Sequence, residues 1–131
     1  MDTEKITINV TPVDLGKIDL IVGQGLFSTR ADFIRTAIRR QLDDNEPLVA
    51  QTIARDYWSV GAEHLGAKNL EAARAKHQRL KIRIVGLLVL GKDVTPDLAD
   101  ETIEEIRVRG VFRAAPDVIE RLKPKLDRAR R

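Results

Sequence analysis

Cysteine is absent from the 131 residues of this chain, and histidine occurs only twice. Without cysteine the chain has no disulfide, no thiolate metal ligand and no cysteine nucleophile. No apolar run reaches the length of about 18 residues that indicates a membrane-spanning helix. The first residues also lack the basic-then-apolar order of a signal peptide. These absences predict a folded cytoplasmic protein with no membrane partner.

The residues that could carry chemistry are too scattered to form a catalytic or metal site. His64 and His77 are separated by thirteen positions, and no carboxylate pattern of the metalloenzyme type accompanies them. No candidate nucleophile has a base at a suitable spacing. The sequence therefore predicts no enzyme activity, no metal and no cofactor.

Residues 4–10 alternate between polar and apolar side chains, which predicts a short β-strand with two different faces. The apolar face would carry Ile6, Ile8 and Val10. The polar face would carry Lys5, Thr7 and Asn9, whose side chains can bond base edges in DNA. Alternation alone favours an ordinary strand face exposed to water. A lone strand this short needs a partner, and the same strand of a second chain would complete a two-stranded ribbon.

Two helix starts follow the strand, and they favour the functional interpretation of its polar face. Thr11 can cap a first helix that has Pro12 at its first position and Asp14 in its first turn. Gly23 and Gly25 suit the end of that helix. Thr29 and Asp32 repeat the capping pattern for a second helix, which should end near residues 43–45.

The start of the second helix is a candidate phosphate site. A helix N-terminus presents unpaired backbone N–H groups and the positive end of the helix dipole. Ser28 and Thr29 add hydroxyl groups there, and Arg30 adds a positive charge. Thr29 also serves as the helix cap under either interpretation.

Residues 4–42 resemble the ribbon-helix-helix family of DNA-binding proteins, the CopG-like and Arc-like group. The resemblance rests on the strand at residues 5–10, the turn at residues 25–30 and the helix at residues 32–39, in that order. It implies an intertwined homodimer whose Lys5, Thr7 and Asn9 contact bases, while the backbone around Ser28, Thr29 and Arg30 holds a phosphate. Many members have Pro or Asn where this chain has Ser28, and Ser where it has Ala31.

Charge is spread unevenly along the chain. Residues 1–46 contain six Lys or Arg against eight Asp or Glu, and residues 107–131 contain nine against three. The segment expected to bind DNA is therefore not basic. This counts against strong non-specific binding by that segment alone, because phosphate neutralisation supplies most of such affinity.

The second half of the chain contains an internal repeat. Residues 82–88 align with residues 106–112 at a spacing of 24, and each copy consists of an apolar strand, a glycine and a short helix. A strand-helix-strand order at this spacing implies parallel strands, and the period suits a leucine-rich or solenoid-like unit. A weaker third copy would place Trp58, Val60, Ala62 and Leu70 at the same phase. Exposed edges of such a sheet can pair with another chain, although a compact cap that stabilises the dimer is equally compatible with the pattern.

The predicted fold class is α+β, with three segments. Residues 1–46 form the ribbon-helix-helix DNA-binding domain, residues 47–80 a helical linker, and residues 81–131 a β-α repeat oligomerisation domain with a basic tail. Within the linker, Trp58 is predicted to be a core residue rather than a platform for a base or an effector.

The predicted function is sequence-specific binding of double-stranded DNA by a homodimeric or higher-oligomeric transcription regulator, a repressor associated with the nucleoid. One alternative is the antitoxin of a type II toxin–antitoxin pair, with a toxin protein as partner. Another is a centromere-binding or polymer-forming scaffold protein.

Overall fold

The chain divides into two compact units, Met1–Ala50 and Gln51–Arg131. The computed structural model describes residues 3–126. The first unit contains helices α1 (Pro12–Gly23) and α2 (Arg30–Asp44), and helix α3 (Glu46–Asp56) runs from the first unit into the second.

The two predicted helix starts and ends are confirmed. The side chain of Thr11 accepts a hydrogen bond from the backbone N–H of Asp14, and Pro12 stands at the first helical position of α1. The helix ends at Gly23, and Gly25 follows in the left-handed region at a φ of 81°. Helix α2 ends at Asp44, with Asn45 as its C-cap. The caps act locally, which is why the sequence alone located both helices.

Residues 3–11 form neither helix nor strand, so the predicted strand at 4–10 is not present in the single chain. Residues 3–50, the described part of the first unit, contain no strand with which this segment could pair, and a strand is defined by hydrogen bonds to a neighbour. No residue between 3 and 50 is buried. Ile6 and Ile8 are 71% and 60% exposed. The unit therefore has no buried core in the single chain and leaves Ile6 and Ile8 largely exposed.

The second unit is a three-stranded parallel sheet with a helix after each strand. Its elements are β1 (Ser59–Leu65), α4 (Ala67–Ala75), β2 (Leu80–Leu90), α5 (Pro96–Thr102), β3 (Ile103–Arg113) and α6 (Pro116–Leu122), followed by a 3₁₀ turn at Lys123–Lys125. The strands lie in chain order, β1-β2-β3. Helix α5 starts at Pro96 with Thr95 as its cap, and α6 starts at Pro116.

Strand β1 corrects the prediction of a helical linker over residues 47–80. The helix of this segment, α3, ends at Asp56. Tyr57 then takes a left-handed backbone conformation at a φ of 57°, which no helix continues. The chain after Tyr57 pairs with β2 as the first strand of the sheet.

The sheet register matches the alignment of the two sequence segments. Ile82 is paired with Ile106 and Gly86 with Gly110, which are the pairs at the spacing of 24. Strand β1 joins this register with Ser59 opposite Ile84 and Gly61 opposite Gly86. The predicted third copy therefore coincides with strand β1. Its residues pair with β2 at a spacing of 25 positions instead of the predicted 24.

The hydrophobic core lies between one face of the sheet and helices α4 to α6. It is built from Leu70, Ile82, Ile84, Leu88, Leu90, Val94, Leu98, Ala99, Ile103, Ile106, Val118 and Leu122. One polar side chain, that of Thr102, is buried among them, and its hydroxyl donates to the carbonyl oxygen of Leu98 over 2.7 Å. The hydrogen bond offsets the cost of burying that hydroxyl.

Three glycines face one another across the sheet, one on each strand. Gly61, Gly86 and Gly110 have φ angles of 135°, 138° and 128°, a region that side-chain-bearing residues rarely adopt. A Cβ atom on Gly86 would overlap the carbonyl oxygen of Gly61, and one on Gly110 would overlap that of Gly86. We refer to these three residues as the glycine ladder.

The start of the predicted basic tail is part of the fold. The Nζ atom of Lys125 donates to the carbonyl oxygens of Asp100 and Ile103 and forms an ion pair with the Asp100 carboxylate at 2.8 Å. The hydrogen bond from Lys125 lowers the pKa of Asp100 below its usual value. Residues 127–131, the rest of the predicted tail, lie outside the described residues.

Candidate nucleic-acid interface

The segment predicted to form the ribbon lies beside an apolar groove of helix α2. The groove has a volume of about 420 Å³, and it is lined by Glu4, Lys5, Ile6, Ile8, Ala31, Ile34, Arg35 and Ile38. Ile6 and Ile8 line the groove, whereas their neighbours Thr7 and Asn9 do not. Lys5, Thr7 and Asn9 are all exposed. The structure thus separates two of the three predicted base-contacting residues from the apolar side chains of the same segment.

The start of α2 is closed by a reciprocal set of hydrogen bonds. The Thr29 Oγ1 atom accepts from the N–H of Asp32 at 3.0 Å. The Asp32 carboxylate reaches back and accepts from the Ser28 N–H at 3.0 Å and from the Ser28 hydroxyl at 3.3 Å. The hydroxyls of Ser28 and Thr29, which were predicted to contact phosphate, therefore also stabilise the helix start.

Two N–H groups at the start of α2 stay available for an anion. Within the described residues, the backbone N–H groups of Arg30 and Ala31 make no hydrogen bond. They belong to the first turn, which has no intrahelical acceptor for them and lies at the positive end of the dipole. The Asp32 carboxylate opposes this effect, because a phosphate placed there would approach a negative charge.

Asp19 of α1 holds the side chain of Arg30, a contact that the sequence analysis missed. The Nε and Nη2 atoms of Arg30 donate to the two carboxylate oxygens of Asp19 at 2.7 and 2.8 Å. Hydrogen bonding to Arg30 lowers the pKa of Asp19, and the same contact raises the pKa of Arg30. The eleven positions between the two residues fit no local pairing rule, so only the helix hairpin reveals the contact.

The α1–α2 turn is also ordered by an aromatic contact. The rings of Phe27 and Phe33 meet edge to face, with their centroids 5.1 Å apart. Together with the pair formed by Asp19 and Arg30, this contact fixes the turn that precedes α2. The arrangement can therefore present an oriented helix N-terminus and a positioned guanidinium to one anionic group.

The two histidines of the chain lie apart from any cluster of acidic side chains within the described residues. Among residues 3–126, no group of three or more His, Asp or Glu side chains could hold a metal ion. His64 lies on β1, and His77 lies just after α4 with a φ of 54°. In the same part of the chain, no helix has the length and apolar character needed to cross a bilayer.

Comparison with known proteins identifies one family. The model of the ribbon-helix-helix transcriptional regulator family matches residues 1–119. No curated protein and no solved structure matches the chain.

Proposed function

Because the chain belongs to the ribbon-helix-helix transcriptional regulator family, we propose that it is a sequence-specific repressor that binds double-stranded DNA as a homodimer. The observation that carries this proposal is the apolar surface of the first unit. Ile6, Ile8 and Val10 are 71%, 60% and 47% exposed in the single chain, beside an apolar groove on α2. Such a surface is typical of a protein interaction site.

In the proposed dimer, residues 4–10 of two chains pair as an antiparallel ribbon. Pairing satisfies the backbone groups of both segments and buries Ile6, Ile8 and Val10 against the helices. The opposite face then presents Lys5, Thr7 and Asn9 to the major groove, where a two-stranded ribbon fits. Lysine would contact guanine acceptors and asparagine would bond adenine, so these residues supply the sequence preference.

The start of α2 would fix the orientation of the dimer on DNA. The N–H groups of Arg30 and Ala31 would bind one phosphate of each half-site, with Ser28 and Thr29 holding the backbone in place. Arg30 would contribute its charge while Asp19 keeps its guanidinium in one position. Contacts of this kind position the protein without reading the sequence. We place such a repressor in the cytoplasm, at the nucleoid.

The second unit would set the oligomeric state. We interpret it as a short α/β solenoid, because its strands are parallel, in chain order and paired at corresponding glycines. The outer edge of β1 would then be available to another chain, since a solenoid of three strands leaves its edges exposed.

The test of the proposed function is a fluorescence-anisotropy titration with DNA from upstream of the protein's own gene and with a scrambled duplex of equal length. The intact protein should bind the upstream DNA more tightly, in a salt-sensitive manner. Replacing Lys5, Thr7 and Asn9 together by alanine should abolish this preference while leaving much of the binding to the scrambled duplex. Each lost bidentate base contact is worth about 1–3 kcal/mol of discrimination. An unchanged preference in the triple variant would show that the ribbon is not the reading surface.

Asp19→Asn tests the proposed phosphate contact separately. The change removes a negative charge beside Arg30 and should strengthen binding to both duplexes by about the same factor, several-fold at low salt, because phosphate contacts carry no sequence information. Anisotropy titrations with the two duplexes would measure this. Asp14→Asn, at the exposed start of α1, is the charge-matched control. Equal effects of the two changes would mean that only net charge matters, and that Arg30 holds no phosphate.

A further inference from the structure

The face of the parallel sheet that is not covered by helices α4 to α6 combines basic side chains with the apolar side chains of Val85, Leu87, Val89 and Val111. Alternation along β2 and β3 places Ile82, Ile84 and Ile106 in the core, so the side chains between them lie on the opposite face, which we call the open face. Its charged residues are Lys81, Arg83, Glu105, Arg107, Arg109 and Arg113. The open face thus holds five cations and the carboxylate of Glu105, and the carboxylate of Glu104 lines the same pocket as Lys81, Arg83 and Arg107.

Two of the three helices on the other side of the sheet are acidic. Helices α5 and α6 together contain five carboxylates and one arginine, the acids being Asp97, Asp100, Glu101, Asp117 and Glu120. Helix α4 differs, since it carries Lys68 and Arg74 against Glu71. The acids of α5 and α6 lie away from the open face, whose cations favour an anionic partner.

The arginines of the open face are held by neighbouring groups. Glu105 forms ion pairs with Arg83 at 3.4 Å and with Arg107 at 2.6 Å. Arg83 also donates to the carbonyl oxygen of Asp56 at 2.8 Å, so its role is largely structural.

The guanidinium of Arg109 lies 5.2 Å from the centre of the Trp58 ring. Trp58 is thus half-buried on the open face, and the prediction that it is a core residue was wrong, because strand alternation places it opposite the core.

The spacing of these arginines suits a phosphate backbone. Arg107 and Arg109 are two residues apart on β3, which separates them by about 6.6 Å along the strand. Phosphates of one DNA strand follow each other every 3.4 Å or so along the helix axis, so the two arginines span about two phosphate steps. Arginine binds phosphate with a planar fork of donors, which makes it well suited to this contact. Trp58 and Arg109 add a flat, partly apolar surface beside it.

We propose that the open face of the second unit is a second DNA-binding surface, which contacts the phosphate backbone without reading sequence through Arg107, Arg109 and Arg113. A second copy of the chain is a weaker candidate for the occupant. Two open faces would repel each other, and the acids that a second copy offers on α5 are already engaged. Asp97 and Asp100 pair with Arg121, and Glu101 pairs with Arg74. Duplex DNA presents one negative charge about every 1.7 Å along its axis, which is a much higher charge density than the acids of α5 offer.

The proposal explains how a regulator whose first 46 residues carry a net negative charge could still bind DNA non-specifically. It is independent of the base contacts proposed for the ribbon, because non-specific affinity and sequence preference are measured separately. If the Lys5, Thr7 and Asn9 variant keeps the sequence preference, the ribbon proposal fails but the open-face proposal stands. If the open-face variants keep the full salt dependence, the open-face proposal fails but the ribbon proposal stands.

The experiment measures the affinity of the full chain for a random-sequence duplex at four salt concentrations. Replacing Arg107, Arg109 and Arg113 together by glutamine should reduce the slope of log K against log salt by about 0.9 for each lost phosphate contact. The matched control replaces Lys68, Lys76 and Lys123, which are exposed on the helical side, by glutamine and should leave the slope unchanged. The variant Arg109→Gln/Arg113→Gln spares the Glu105 ion pairs, so it keeps the test valid if the triple variant is unstable.

Three results would overturn the proposal. The first is a slope that falls equally in the open-face variants and in the lysine control, which would mean that only total charge matters. The second is DNA binding that is unchanged in the open-face variants while binding of poly-glutamate is lost, which would identify an acidic protein segment as the partner. The third is unchanged DNA binding in variants that lose self-association, which sedimentation equilibrium without DNA would detect.

Discussion

Gly86→Ala should unfold the second unit or lower its free energy of unfolding by about 3–5 kcal/mol. The backbone of Gly86 has a φ of 138°, and an added Cβ would overlap the carbonyl oxygen of Gly61. Both the backbone strain and the overlap must be relieved, and relief requires β1 and β2 to separate. The loss is large against the total stability of roughly 5–15 kcal/mol expected of a domain.

The measurement is denaturant unfolding followed by tryptophan fluorescence. Trp58 is the only tryptophan of the chain and lies in the second unit, so the signal reports that unit alone. Gly61→Ala is the matched control, because Gly61 has a similar φ of 135° but nothing within 4 Å of an added Cβ. Gly61→Ala should lower the free energy of unfolding only by the backbone strain, which is about 1–3 kcal/mol. Equal losses at the two positions would mean that strand contact contributes nothing at Gly86.

Ile8→Asp should abolish dimer formation and, with it, DNA binding of every kind through the first unit. Ile8 is 60% exposed in the single chain, so an aspartate there costs the folded monomer little. In the proposed ribbon the same position is buried, and an unpaired buried charge costs about 3 kcal/mol or more, which is roughly a hundredfold in the dimer dissociation constant. Sedimentation equilibrium measures the dimer, and anisotropy with the upstream duplex measures binding.

Ile8→Val is the control for this prediction, since it retains an apolar, β-branched side chain. It should keep both the dimer and the sequence preference. If Ile8→Asp remains dimeric with normal affinity, residues 4–10 do not form the dimer interface. If it loses the dimer yet retains the preference for upstream DNA, the ribbon is not required for reading DNA.

The parts of this fold that the sequence predicted are those determined by local chemistry. Thr11 and Thr29 cap helices within three residues of their own positions, so the motifs alone located α1 and α2. Strands β2 and β3 were found because their similarity at a spacing of 24 residues is visible without any structure.

What the sequence did not reveal depends on contacts between distant residues. Strand β1 is held by parallel pairing to a strand that follows 25 residues later, and its own side chains alternate only weakly. The pair formed by Asp19 and Arg30 exists only because a hairpin brings two helices together. The side of the sheet on which Trp58 lies depends on where β1 begins, which the apolar pattern did not show. The base-contacting role of Lys5, Thr7 and Asn9 stays a prediction, since it requires a second chain and DNA.

The glycine ladder also constrains how the second unit reaches its native state. Parallel strands joined by long connections form late and could first pair out of step, with one strand shifted along its neighbour. A shift would place the Cβ atom of Ile84 or Leu88, rather than Gly86, against the carbonyl oxygen of Gly61. The strands approach this closely only where Gly86 faces Gly61 and Gly110 faces Gly86. The ladder therefore penalises sheets that pair out of register.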